Sequence, residues 1–204
     1  MILSLCDRTG NMVRPWAEAG HKCCIVDIQH EPGEHEFAEN VTAIGADIRT
    51  MLPPLHNYEI VFAFPPCTHL AVSGARWFRE KGLAGLIEGL ELVEACRKIC
   101  EWSNAPWMLE NPVSTLASYW REPDYIFHPW EYAGFMQETE ERYYKKTCVW
   151  SGNGFRMPVS NPLAPLPGPE GEKIWRMPPS KDRGNLRSET PIGFAYAVYK
   201  EMSK

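Results

Sequence analysis

Phe62-Ala63-Phe64-Pro65-Pro66-Cys67-Thr68-His69 is the stretch that decides how the fold is read. It follows a strand-like run, Tyr58-Glu59-Ile60-Val61-Phe62. Each proline holds its own φ near about −65° and restricts the residue before it. Pro65-Pro66 therefore makes a stiff, extended exit from a sheet. Ligands of open α/β sheets bind just beyond the carboxyl ends of strands. On a central parallel strand, Cys67 faces that crevice. Two readings of the thiol stand at this point: a presented nucleophile, or a small apolar residue packed in the turn after a strand.

The chain around this stretch has 204 residues, the size of one domain. Hydrophobic residues make up 44% and charged residues 23%, a globular balance with enough apolar surface for a sizeable core. No apolar run reaches the length of a transmembrane helix. Met1-Ile2-Leu3-Ser4-Leu5-Cys6 meets Asp7 and Arg8 with no basic leader. No membrane partner and no signal peptide are expected, and the expected compartment is cytoplasmic. Seven cysteines, an odd number with no Cys-x-x-Cys pair, fit reduced thiols better than a disulfide framework. Cys96 and Cys100 lack a second ligand pair, so no metal site is expected. The net charge of −5 argues against a broad phosphate-binding face. Positive charge does gather late in the chain, at Arg142, Lys145, Lys146, Arg156, Lys173, Arg176, Lys181, Arg183 and Arg187.

Residues 1–6 read as a first strand, Asp7-Arg8-Thr9-Gly10-Asn11 as a turn, and Met12 to Ala19 as a helix closed by Gly20. His21 to Ile28 reads as a second strand, completing a βαβ-like unit. Such a unit presents backbone N–H groups at a helix N-terminus. An acid at the tip of the second strand can accept hydrogen bonds from ribose hydroxyls, and Asp27 stands 17 residues beyond Gly10. As a bare pattern, Asp27 is equally a solvated strand end. His30 to Asn40 is polar and carries Pro32 and Gly33, so a loop is expected there. Val41 to Ile44 reads as a short third strand ending in Gly45-Ala46-Asp47-Ile48. Residues 70–82 read as irregular. Leu83 to Trp102 is the strongest helix, with Leu86, Leu90, Val93 and Ile99 at helical spacing. Trp107-Met108-Leu109 reads as a short strand followed by Glu110-Asn111-Pro112. A short helix is expected over Val113 to Tyr119, strands over Tyr125 to Trp130 and Lys146 to Trp150, and loop over 151–185. Thr190-Pro191 opens a last helix through Tyr199, with Thr190 as its cap. The chain reads as one α/β domain over residues 1–204.

The ordered series Asp7 to Asn11, Asp27, Asp47-Ile48, Pro65-Pro66-Cys67 and Glu110-Asn111-Pro112 resembles the motifs of the DNA cytosine-5 methyltransferases. The likeness covers nearly the whole chain and is greatest to small phage-type or prophage-type members. It implies a Rossmann-like class I methyltransferase fold, with a mostly parallel central sheet and helices on both faces. It also implies S-adenosylmethionine as cofactor. By this resemblance Asp7, Thr9, Gly10 and Asn11 form the cradling turn. Asp27 and Ile28 serve the ribose side, Asp47 and Ile48 the adenine, and Pro65 borders the cofactor. Cys67 supplies the nucleophile and Glu110 the catalytic acid. Asn111 orients that acid or the Cys67 loop. Lys145 and Thr147 stand where the family has two arginines near the target base. Pro66, Ser73, Arg76 and Trp77, together with Arg183 and Arg187, are the expected substrate contacts. Residues 151–189 form a reduced target-recognition region, and the helix over 190–202 returns to close the cofactor pocket. The family's Phe-x-Gly-x-Gly turn reads Cys6-Asp7-Arg8-Thr9-Gly10 here, with Arg8 in place of the first glycine.

The chemistry suits these residue types. C5 of cytosine is a poor nucleophile until a thiolate adds to C6 and makes the ring enamine-like. A carboxyl at the N3 and N4 edge can share a proton as charge develops. A base within a duplex must first be flipped out. Three functions are carried forward. The first is C5 methylation of cytosine in DNA, with specificity relaxed or supplied by an accessory recognition subunit. The second is C5 modification of a free pyrimidine nucleotide or of single-stranded nucleic acid. The third is a catalytically inactive binding subunit, for which Arg8 in the cofactor turn is the main argument. Trp16, Trp102, Trp107, Trp120 and Trp130 read as packing residues.

Overall fold

A computed structural model describes residues 1–54, 56–136 and 141–204. Eight strands form one sheet: β1 (Ile2–Leu5), β2 (Cys23–Val26), β3 (Gly33–Ala38), β4 (Val41–Gly45), β5 (Ile60–Ala63), β6 (Trp107–Pro112), β7 (Tyr125–Phe127) and β8 (Thr147–Gly152). Their spatial order is β3-β4-β2-β1-β5-β6-β8-β7. The central five, β4-β2-β1-β5-β6, are parallel, while β3, β8 and β7 each run antiparallel to a neighbour. Parallel strands covered on both faces need continuous apolar sequence, and β1, β2 and β5 are buried throughout.

Side chains alternate between two cores, as the pleat requires. Ile2, Ile25, Ile60, Phe62 and Met108 pack on one face, against Trp16 of α1 (Arg14–Glu18) and against Phe194 and Val198 near the carboxyl end of the chain. Leu3, Leu5, Val26, Val61 and Leu109 face the other way, against Val93, Cys96 and Cys100 of α2 (Phe78–Trp102). From β1 the chain steps outward to β2 and β4, then crosses back to β5 on the other side of β1. The switch point of the sheet thus lies between β1 and β5, and beyond their carboxyl ends is the crevice where such sheets bind ligands. The Asp7 turn flanks it on one side and Pro65-Pro66-Cys67 on the other. Among the described residues, no helix is long and apolar enough to cross a membrane.

Several elements differ from the sequence expectation. The polar stretch over 30–40 is not all loop: β3 pairs with β4 through a Glu39-Asn40 turn in which Asn40 takes a φ of +61°. An edge strand needs partners on one side only, so polar side chains suffice for it. Gly45 permits a tight crossing there, since a Cβ would sit 1.9 Å from the carbonyl oxygen of Glu31. Residues 70–82 hold a 3-10 helix, Val72–Trp77, and the first turn of α2, which is broken at Gly82 (φ +61°). β6 runs three residues past Leu109, because β8 pairs with Glu110, Asn111 and Pro112 after β5 has ended. After α3 (Leu116–Tyr119), two more short helices, α4 (Lys173–Arg176) and α5 (Arg183–Ser188), interrupt the expected loop. The last helix, α6 (Ile192–Met202), is not capped by Thr190. Its first N–H groups, those of Ile192 and Gly193, donate to the Glu141 carboxylate, at 2.8 Å for Gly193. A distant carboxylate here does the work of a local cap and suits the positive end of the helix.

Candidate active site

The loop carrying Cys67 is fastened at each of its first residues. The N–H of Phe64 donates to the carbonyl of Leu5 at 2.9 Å, continuing the β1–β5 pairing. The carbonyl of Pro65 accepts from Asn111 Nδ2 at 2.9 Å. The Cys67 carbonyl accepts from the N–H groups of Leu70 and Ala71 at 3.0 and 2.9 Å, closing a turn. That turn lies on α2 at Gly85 and Gly89, where added Cβ atoms would meet the side chains of His69 and Leu70 at 2.8 and 3.0 Å. Lys81 Nζ donates to the Thr68 carbonyl. The prolines provide stiffness and the surrounding bonds provide position. Asn111, expected at the acid or at the Cys67 loop, makes its side-chain hydrogen bond to the loop.

Around the half-buried Cys67 stand Glu110, Lys145 and Arg187. Burial pushes the thiol up, the charge of Glu110 adds to this, and Lys145 and Arg187 pull it down. Glu110 is raised by burial and lowered by Lys145. Its Oε1 is out of solvent and has no hydrogen-bond partner among the described residues, and the same holds for Asn111 Oδ1. A buried polar atom without a partner is costly and points to a missing one. Thr147 is 1% exposed, and its hydroxyl donates to the Lys145 carbonyl at 3.1 Å. It therefore shapes the backbone that carries Lys145, whose Nζ donates to the Glu189 carbonyl at 3.4 Å.

The first turn is organised from inside. Asp7 is 4% exposed and accepts from Ser4 Oγ (2.7 Å), the Gly10 N–H (2.8 Å), and the N–H and hydroxyl of Thr9. Burial nevertheless holds its carboxyl above the usual range. The left-handed positions of the turn are Cys6 (φ +55°) and Gly10 (φ +68°), and Arg8 is not one of them. A residue with a Cβ therefore fits at position 8. The Arg8 guanidinium turns toward Glu189, 3.8 Å away. Asn11 Nδ2 reaches the Thr190 carbonyl at 3.3 Å, tying the turn to the chain just before α6.

Beside this turn a cleft of about 240 Å³ is lined by Cys6, Asp27, Ile28, Asp47, Ile48 and Pro66, among others. Asp27 uses Oδ1 to accept from the Gln29 N–H at 2.8 Å, and its other oxygen is without a partner among the described residues. Ile28 is 69% exposed, an apolar face standing in the open next to that acid. The Asp47 carboxylate is gripped by Arg49, with Nη2 at 2.6 Å, and this holds its pKa below the usual range. Of the expected cofactor residues, Asp27, Ile28, Asp47 and Ile48 line this cleft, whereas Asp7, Thr9, Gly10, Asn11 and Pro65 are not among its lining residues, nor are Cys67 and Glu110. Ser73, Arg76 and Trp77 lie on the exposed 3-10 helix and share no hydrogen bond or ion pair with the Cys67 cluster. The Arg76 guanidinium rests over the Trp77 ring at 5.0 Å.

Some contributors carried no sequence signal. Gln29 and Asn185 exchange two side-chain hydrogen bonds, at 2.9 and 3.3 Å, which bring α5 over the end of β2. Phe37 of β3 covers Gly10, where an added Cβ would meet the nearest ring carbon at 3.3 Å. Glu141, which anchors α6, is separated from that helix by 51 residues. The chain matches no protein-family model and no curated protein.

Proposed function

We propose that the protein is an S-adenosylmethionine-dependent methyltransferase that modifies C5 of cytosine in DNA through Cys67, on a class I methyltransferase-type sheet. The observation that carries this reading is the coupling of two motifs distant in sequence. Asn111 Nδ2 ties β6 to the Pro65 carbonyl, so that Cys67 and the acid beside Asn111 share one end of the crevice. The unpartnered Glu110 Oε1 is the atom that a cytosine edge would satisfy.

The cleft residues fit the cofactor. The free oxygen of Asp27 suits a ribose hydroxyl, and Ile28 and Ile48 offer apolar surface to a purine. S-adenosylmethionine, when bound, supplies the methyl group. The Cys67 sulfur, as thiolate, adds to C6, and its electron pair makes C5 nucleophilic. Lys145 and Arg187 favour the thiolate against burial. Glu110, whose carboxyl holds its proton more tightly than usual, donates to N3 while its other oxygen accepts from the N4 amino group. Loss of the C5 proton and departure of Cys67 then restore the aromatic ring.

A second reading, modification of a free pyrimidine nucleotide or single-stranded nucleic acid, is favoured by the position of α5. It is clasped to Gln29 at the crevice. Arg8, the argument for an inactive binding subunit, loses weight because its φ is not left-handed and its side chain turns to Glu189. Calorimetric titration with S-adenosylhomocysteine tests the proposal, with Asp27→Ala as control. Binding near micromolar that weakens at least about tenfold in the variant, roughly the value of a charged hydrogen bond, is expected. No heat at millimolar ligand would remove the cofactor from the account.

A further inference from the structure

We propose that Arg183 and Arg187 of α5 form, with Lys145, a phosphate site beside Cys67, and that it takes the phosphate ester of the pyrimidine nucleotide whose ring Cys67 attacks. The ligand assignment rests on the reading of Cys67 as the nucleophile; the anion site does not.

The two arginines are four apart, so they share one face of α5. Each has its Nε out of solvent with no acceptor among the described residues. This sets them apart from other arginines of the chain. Arg14, Arg49, Arg97, Arg121, Arg156 and Arg176 all pair with carboxylates. A guanidinium nitrogen withdrawn from water without an acceptor is costly, and the partner that best fits its fork is a carboxylate or phosphate. The helix is also held in place. Asn185 is clasped to Gln29, and Glu189, just past the helix, receives Lys145 on its carbonyl and Arg8 on its carboxylate. Arg187 and Lys145 both act on the Cys67 sulfur, which places an anion bound between them within a nucleotide's reach of the thiol. The charges that bear on this sulfur are those of Glu110, Lys145 and Arg187, and Arg183 adds a further cation one turn along α5 from Arg187.

The test uses the reactivity of Cys67 in the whole protein. Iodoacetate and iodoacetamide both alkylate a thiolate, forming a C–S bond as iodide leaves, but only iodoacetate is an anion. The rate ratio at Cys67, read by mass spectrometry of its peptide, is compared with the ratio for glutathione. The expected ratio exceeds that of glutathione by about tenfold, the effect of one charge-assisted contact. Millimolar inorganic phosphate suppresses it, and the Arg183→Gln/Arg187→Gln variant removes it. Because a ratio is read, a change in the Cys67 pKa cancels. A ratio equal to that of glutathione and indifferent to phosphate overturns the site, whatever S-adenosylhomocysteine binding shows. Protection of Cys67 by deoxycytidine, deoxycytidine 5′-monophosphate and a short single-stranded oligonucleotide with one cytosine then identifies the source. Either phosphate-bearing ligand protecting better than the nucleoside, with the advantage lost in the double variant, supports the assignment. The stronger of the two shows whether a terminal phosphate or a phosphodiester is bound. Equal protection by all three overturns it.

Discussion

Asn111 is the residue where the geometry of the site can be tested by stability alone. It is 1% exposed, its Nδ2 donates to the Pro65 carbonyl at 2.9 Å, and its Oδ1 has no partner among the described residues. Asn111→Ala removes a good hydrogen bond and leaves the Pro65 carbonyl short of a donor, a loss of about 1–3 kcal/mol. It also removes the orphaned oxygen, a gain that offsets part of this, so a net loss of about 1 kcal/mol is expected. Asn111→Asp keeps the shape but sets an oxygen against the Pro65 oxygen and buries a charge close to Glu110. Breaking the bond in this way should cost about 3 kcal/mol or more. For a chain of this size, 1 kcal/mol moves the melting temperature by about 2–4 °C. The expected losses are then about 2–4 °C for alanine and about 6–12 °C for aspartate, read by calorimetry at pH 8, where the new carboxyl is ionised. Burial and Glu110 raise the pKa of this new carboxyl, so as pH falls through that value toward the ordinary aspartate value the variant should recover part of its deficit, because a protonated carboxyl can donate to Pro65. Aspartate melting level with alanine at every pH would refute the bond as the tie between β6 and the Cys67 loop.

Glu110 has a raised carboxyl pKa because burial disfavours its charge, so its contribution to stability is greatest when protonated and falls as pH rises through the folded value. Glu110→Gln should therefore melt higher than the wild type at pH 8, with the advantage vanishing below about pH 4, where both folded and unfolded carboxyls are protonated. An advantage that persists unchanged at low pH would contradict the burial argument. Cys67→Ser should leave S-adenosylhomocysteine affinity within about twofold while abolishing methyl transfer, since a hydroxyl is far from ionised at neutral pH. Retained transfer would remove the nucleophile assignment. Gly45→Ala should lower the melting temperature by about 6 °C or more, because its Cβ would stand 1.9 Å from the Glu31 carbonyl oxygen and the β3–β4 hairpin must open. A variant that melts with the wild type would show that the hairpin crossing is not as close as described.

The parallel core was legible because strands buried on both faces must be apolar almost without interruption, and Ile2–Leu5, Cys23–Val26 and Ile60–Ala63 are. The strand-end clusters were legible for the same reason: polar residues that follow such a run stand at the edge of the sheet. β3 was not, because an edge strand is defined by its partner's backbone and Glu34 and Glu36 carry no apolar alternation to announce it. The capping of α6 by Glu141 and the clasp between Gln29 and Asn185 are contacts across 51 and 156 residues, which no local pattern encodes. The continuation of β6 through Glu110 and Asn111 depends on β8, which lies well after it in the chain. Asn111 is legible in sequence only as a residue near the acid or the Cys67 loop, and the bond it makes is to the Pro65 carbonyl of that loop.

The central claim is that Cys67 attacks C6 of a cytosine ring held by Glu110. The most direct measurement replaces the C5 hydrogen with fluorine, which cannot leave as a proton, so that the covalent intermediate accumulates. The protein is incubated with S-adenosylmethionine and 5-fluorocytosine, carried either in a single-stranded oligonucleotide or as the mononucleotide. A Cys67 peptide heavier by the nucleotide plus one methyl group is expected, absent from Cys67→Ser and strongly reduced in Glu110→Gln. A protein that binds S-adenosylhomocysteine yet forms no adduct at Cys67 with either substrate, nor with duplex DNA, would contradict it.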